Sequence, residues 1–169
     1  AAGFLRAGSR VADAGSGDTI VFDASLSGQT IILSSTLEIT QDLTIDGSVL
    51  PASITVSGDD AVRVFKVTDN ARVTLDSLTI AHGLDTSTEC IGASCGGGLY
   101  NNSGIVAIHA VTFTDHAAGR GAAIYNAAGV VSIADSLISD NAATEGGGGG
   151  IANYATLIVA GSTISNNTT

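Results

Sequence analysis

Apolar residues recur in pairs two apart along most of this chain: Leu43 and Ile45, Val73 and Leu75, Val106 and Ile108, Val131 and Ile133, Leu157 and Val159. A spacing of two places both members on one face of an extended strand, whereas a helix would need three or four. The pairs themselves repeat. Leu157 follows Val131 by 26 residues, Val131 follows Val106 by 25, Val106 follows Val73 by 33 and Val73 follows Leu43 by 30. Repetition at this interval means units that bury their apolar faces against one another.

Six columns result from the alignment: Leu37/Phe65/Leu99/Ile124/Ile151, Ile39/Val67/Asn101/Asn126/Asn153, Leu43/Val73/Val106/Val131/Leu157, Ile45/Leu75/Ile108/Ile133/Val159, Ser48/Leu78/Val111/Ser136/Ser162 and Leu50/Ile80/Phe113/Ile138/Ile164. Each unit holds several strands of two to five residues with Gly or Asn at the corners. No run long enough for a helix shows helical spacing. This pattern predicts an all-β chain, a parallel β-helix solenoid of about five to six rungs, forming one domain over residues 1–169. Residues 1–17 are expected to cap its first rung, because an open rung exposes apolar side chains and an unpaired strand edge. Leucine-rich repeats, the rival, need a Leu framework and a helical segment that these units lack.

The runs Gly-Gly-Gly-Leu99-Tyr100-Asn101 and Ile124-Tyr125-Asn126, each followed by Val-x-Ile, resemble the repeats of secreted bacterial right-handed β-helix proteins. Many of those are adhesin or passenger domains. The stretch Gly17-Asp18-Thr19-Ile20-Val21-Phe22-Asp23, with Thr30-Ile31-Ile32-Leu33 and Leu43-Thr44-Ile45-Asp46-Gly47, is similar to the N-terminal region of surface proteins that carry a Cys-Ser-Leu-Arg-Glu-Ala cap. Here the cap reads Phe4-Leu5-Arg6-Ala7, without the Cys or the Glu. The resemblance implies a right-handed coil and an extracellular or cell-surface location. One such scaffold carries adhesins, lyases and fibres alike, so it does not choose among functions.

Composition narrows the choice. Twenty-two Gly, one Pro and no Trp or Met suit tight repeated corners. Aromatic residues make up 4%, which counts against a sugar platform built on stacking, although Tyr100 and Tyr125 could form a small one. Six basic and sixteen acidic residues leave a formal charge of −10, which repels nucleic acid and anionic lipid. No apolar run is long enough to insert in a membrane.

Cys90 and Cys95 lie close together in the insertion that lengthens one repeat, residues 84–96, and are expected to form a disulfide that pins this loop. Too few further Cys or His residues stand nearby for a zinc site. The column Asn101/Asn126/Asn153 is expected to be structural, with each residue tolerating a left-handed turn and the amides bonding from rung to rung. The glycine runs at 96–98 and 146–150 precede the same strand in different units, so they should make one corner and not a phosphate loop.

Stacking would turn two outward columns into ladders: Asp46, Asp76, His109, Ala134 and Ala160, extended by Asp23 if Phe22 aligns with Ile45, and His82, Asp115, Asp140 and Asn166. Carboxylates on adjacent rungs stand about 5 Å apart, which admits a shared hard cation, so Asp46 and Asp76 are the metal candidates, with calcium the only cofactor suggested. No catalytic residue is assigned. A cleft-forming loop is missing, and so is a cation beside the acids. The expectation is an extracellular structural or adhesive module whose partners are cell-surface or glycan ligands, or further copies stacked end to end into a filament. The alternative is a carbohydrate-active or carbohydrate-binding fragment using Asp46, Asp76 and His109. Ice or mineral binding would need an unbroken Thr ladder, and Leu137 interrupts the column Thr79, Thr112, Leu137, Thr163.

Overall fold

The computed structural model describes residues 3–4 (backbone only), 14–90 and 92–169. Among the described residues it is all-β apart from one 3-10 turn, Ala24–Leu26. Every pairing between its described strands is parallel, and each strand inside a stack pairs with its equivalents one turn earlier and one turn later. The chain is therefore a parallel β-solenoid of about six turns. Of the expected cap, residues 1–2 and 5–13 lie outside the described part, while the backbone of Gly3–Phe4 pairs with that of Asp18–Val21.

Four stacks run along the solenoid. The first joins Leu37–Ile39, Phe65–Val67, the start of Leu99–His109, the start of Ile124–Ala134, and Ile151–Asn153. The second joins Asp18–Val21, Leu43–Asp46, Arg72–Asp76, the later parts of the same two long strands, and Thr156–Ala160. In the third stand Thr30–Ile32, Ile54–Ser57, Leu78–Ala81, Thr112–Thr114, Leu137–Ser139 and Thr163–Ser165. Ala117–Ala118 and Ala142–Ala143 make the fourth, continued by single bridges to Leu84 on one side and Thr168 on the other.

The predicted columns are the registered columns in all places but one rung of the third stack, that of Ile54–Ser57. There Ile54 and Val56, not Ser48 and Leu50, stand against Leu78 and Ile80. The reason is a loop. Nine positions separate Ile45 from Ile54 where three separate Leu75 from Leu78, so six residues, 48–53, form an extra loop that takes Ser48 and Leu50 out of the column, although Leu50 still packs partly buried against the core. An extra loop leaves the interior register untouched because only the inward apolar positions must coincide.

Inward residues from the first three stacks form one continuous core, with Phe65, Leu75, Ile80, Leu99, Phe113, Ile124 and Ile138 fully buried. The corners use left-handed backbone. His82, Asp115, Asp140 and Asn166 all have φ of 50 to 60°, as do Ser77, Ala110 and Gly161, with Asp135 at 49°. Asp and Asn tolerate this region better than most residues, which explains the acidic corners without any ligand. At the corner before the first stack, Gly96, Gly121 and Gly148 also have positive φ, and a Cβ on any of them would collide with the carbonyl oxygen of Leu99, Ile124 or Ile151. The glycine runs make that corner, as the sequence suggested.

Candidate functional site

Three polar assemblies interrupt the apolar pattern. The first is the Asn column. Asn101 and Asn126 are fully buried, and each Nδ2 donates to the Oδ1 of the next Asn, at 2.9 Å to Asn126 and 2.7 Å to Asn153. Remaining donors reach the carbonyls of Gly104, Ala128 and Thr156. The rung-to-rung amide bonds match expectation, but the left-handed turn does not: none of the three Asn has positive φ, and the chain bends at Ser103 (92°) and Gly129 (87°) instead. Burial also removes Asn101 of the triplet Asn101-Asn102-Ser103 from any glycosylating enzyme acting on the folded chain.

A second ladder, unforeseen, runs just after the acidic corner. His116 donates its backbone N–H to Asn141 Oδ1 at 3.0 Å, and Asn141 Nδ2 donates to Asn167 Oδ1 at 2.8 Å. The His116 ring accepts at Nδ1 from the Gly83 N–H, 2.8 Å, so Nε2 carries the proton that meets Ile80 O at 3.0 Å. Burial pushes this imidazole down to about 4, partly opposed by the Ile80 carbonyl. The dipeptides Asp115-His116, Asp140-Asn141 and Asn166-Asn167 were the signal for this ladder. Their second members differ in type, so no single residue marked the column.

Around the insertion lies the third. The structure joins Cys90 and Cys95 in a disulfide, with Cα atoms 6.1 Å apart. Bridges pair Leu84 with Ala117 and Cys95 with Arg120. Eleven positions thus do the work of three, and the inserted part shrinks to eight residues, 86–93, with Leu84 and Cys95 themselves in register with later rungs. The loop lies against the outward side of the first stack, where Cys90 and Cys95 pack on Tyr100, Tyr125 and Ala152. It leaves Tyr100 and Tyr125 only 7% and 5% exposed, so they offer no sugar platform.

One guanidinium holds the loop down. Arg63, itself buried, pairs with Asp85 and Glu89 at 2.9 Å, donates to the carbonyls of Cys95 and Gly96 at 3.0 Å, and lies 5.0 Å from the Tyr100 ring centre. Asp85 in turn accepts from the Cys95 N–H at 2.7 Å. Lys66 extends the network to Glu89 at 2.9 Å and Glu38 at 3.5 Å. The Lys66 hydrogen bond pulls Glu89 below the usual carboxylate range, and the same bond raises Lys66. The sequence hid this cluster, since Arg63 and Asp85 are 22 residues apart and neither belongs to a repeating column. An Arg directly before the inward run Val64-Phe65 was the available clue.

The predicted acidic ladder stands as registered neighbours: Asp46 beside Asp76, and Asp76 beside His109. Asp23 does not extend it. Ile20, not Phe22, aligns with Ile45, which puts Val21 beside Asp46, and Asp23 caps the 3-10 turn by accepting from Ser25. Asp46 Oδ1 accepts from the Ser48 N–H at 2.8 Å and Asp76 Oδ1 from the Ser77 hydroxyl at 2.7 Å. His109 turns Nδ1 to Asp76 at 3.2 Å and Nε2 to Asp135 at 3.7 Å. The His109 ring therefore stands between the two carboxylates, which approach it on opposite edges. Among the described residues no three His, Cys, Asp or Glu side chains converge on a metal position. No helix there is long and apolar enough to cross a membrane.

The Thr column of the third stack is longer than the sequence alignment showed, running Thr30, Thr55, Thr79, Thr112, Leu137, Thr163, and Leu137 does interrupt it.

With the geometry in place, comparison adds no identity. No family model, no curated protein and no solved structure matches this chain. The molecule presents a filled solenoid, a disulfide-closed loop riding on its side, and a face carrying Asp46, Asp76 and His109.

Proposed function

We propose that the chain is an extracellular structural or adhesive β-solenoid module of a bacterial surface protein, acting without catalysis. The observation that carries this reading is the disulfide-closed loop seated on an otherwise uninterrupted stack. A structural disulfide persists in an oxidising compartment, and a rod with a fixed lateral projection is suited to spacing and contact. Its partners on this reading are cell-surface or glycan ligands. Self-association belongs to the same proposal: the inward residues Val159 and Ile164 are 42% and 51% exposed, and a further coil, from this or a second molecule, would bury them.

Two measurements on the native source test it. Protease shaving of intact cells should release the module, with Cys90 and Cys95 unreactive to thiol reagents until reduced. Beads coated with the folded chain should adhere to cells or glycan arrays, and acidic and neutral polysaccharides should stay uncut. An intracellular pool with two free thiols would refute the location. Polysaccharide cleavage lost in Asp76→Ala would replace the adhesive reading with the carbohydrate-active one.

A further inference from the structure

The chain contains three tyrosines, two cysteines, no tryptophan and no methionine. All five of these oxidisable side chains fall at one place. Tyr100 and Tyr125 are registered neighbours in the first stack, with ring centres 5.8 Å apart at 62°. Tyr154 comes from the following turn and lies 5.3 Å from Tyr125 at 36°. The Cys90–Cys95 disulfide packs on the same cluster. Fifty-four residues of sequence separate Tyr100 from Tyr154; Ala152 holds the place in register with Tyr125, and Tyr154 reaches the cluster from two residues further along the same turn.

Exposure grades along the cluster. Tyr100 and Tyr125 are buried, whereas Tyr154 is 62% exposed. An external oxidant therefore meets Tyr154 first, while the phenol of Tyr125, close behind it, is shielded from solvent and keeps its proton to higher pH through burial. Aromatic pairs gain stability from offset or edge contacts at these separations, which accounts for the Tyr100 and Tyr125 pair inside the cluster.

We propose that Tyr125 and Tyr154 form an oxidative cross-link site, joined carbon to carbon between their ring ortho positions when the folded chain meets a peroxidase and hydrogen peroxide. In the first one-electron step Tyr154 loses an electron and a proton. The radical passes to Tyr125 by electron transfer across the 5.3 Å contact, with the Tyr125 proton lost and Tyr154 restored. A second oxidation of Tyr154 places two radicals side by side. They couple, one new C–C bond forms, and both rings recover aromaticity as the two ortho hydrogens move to the phenol oxygens. In total the pair gives up two electrons and two protons, and one hydrogen peroxide becomes two waters. The disulfide, already oxidised, takes no part. The bond would fasten the last two turns covalently, a use that fits an extracellular module but does not depend on that reading.

The test uses the whole folded, disulfide-intact chain with a peroxidase and limiting hydrogen peroxide. Expected are a monomer lighter by two hydrogen atoms, biphenol fluorescence, and a cross-linked peptide pair containing Tyr125 and Tyr154. Tyr154→Phe, at an exposed position that the fold does not need, should abolish all three. Tyr100→Phe should retain them. Cross-links found only between chains, oxidation ending on single tyrosines, or fluorescence undiminished in Tyr154→Phe would each overturn the proposal. Its failure leaves the adhesive reading standing, because protease shaving and bead adhesion do not depend on the cross-link.

Discussion

The interior carries polarity in two ways, one under the disulfide loop and one along the later rungs. At the loop, Arg63 and Asp85 bury opposite charges and satisfy them with a salt bridge and three loop carbonyl or amide contacts. In the later rungs, Asn101 and Asn126 bury neutral amides and pass hydrogen bonds along the column, from Asn101 to Asn126 and from Asn126 to the exposed Asn153. The difference follows from stacking. An amide both donates and accepts, so a column of amides can continue for any number of turns. A charge cannot, because its copy one rung away would be a like charge at about 5 Å in a poorly screened interior. Among the described residues the buried ion pair therefore stands at the irregular insertion, while the neutral solution follows the repeat. His116 sits between the two cases. It occupies the first position of a neutral ladder, yet it can acquire charge.

The sharpest way to break this contrast is Arg63→Leu. It leaves Asp85 buried without its partner and should cost about 3–5 kcal/mol, whereas the pair Arg63→Leu with Asp85→Leu should recover much of the loss. Detaching the loop caps the cost, so hydrogen exchange of residues 84–96 in a double-mutant cycle reads it better than global melting.

Next comes acid. The His116 imidazole titrates at about 4 in the fold against about 6.5 in the unfolded chain. Between those values the unfolded chain binds more protons, so stability falls as pH drops from 6.5 to 4, by about 3 kcal/mol in all, and does not change further on this account below 4. Denaturant midpoints across that range should show the slope, and His116→Asn, which copies Asn141, should flatten it. An unchanged slope in that variant would show that the charge arises elsewhere.

Removing one step of the neutral ladder should cost less. Asn126→Leu takes the donor from Asn153 and Thr156 and one acceptor from Asn101, which keeps its other two. A loss of about 2 kcal/mol in chemical denaturation is expected. A loss as large as that of Arg63→Leu would mean that the ladder is coupled throughout its length.

The smallest effect belongs to Lys66→Ala. Its ion pairs with Glu89 and Glu38 are partly exposed, so the change should be under about 1 kcal/mol and should shrink in salt. Salt insensitivity would place Lys66 with the buried charges and blur the comparison.

These cases also mark how much could be read from residues alone. The apolar pairs at 43/45, 73/75, 106/108, 131/133 and 157/159 determined strand periodicity, turn length and nearly every interior column, because each inward position must match its neighbour one turn away. The Asn column was legible for the same reason, and the disulfide from the nearness of Cys90 and Cys95. Tertiary structure decided the rest. Ser48 and Leu50 look like members of a column, and only the extra loop of residues 48–53 shows that Ile54 and Val56 hold those places. Asp23 gives way to Val21 beside Asp46 through a shift of two residues in an early rung that sequence spacing left open. Arg63, Asp85 and Glu89 meet through a loop folding sideways, and Tyr154 meets the registered pair Tyr100 and Tyr125 from two residues past Ala152 on the next turn. Repetition makes the interior self-announcing, since one pattern must recur at every turn. A contact made once, between a loop and a wall or across a corner, leaves no second copy in the sequence by which to recognise it.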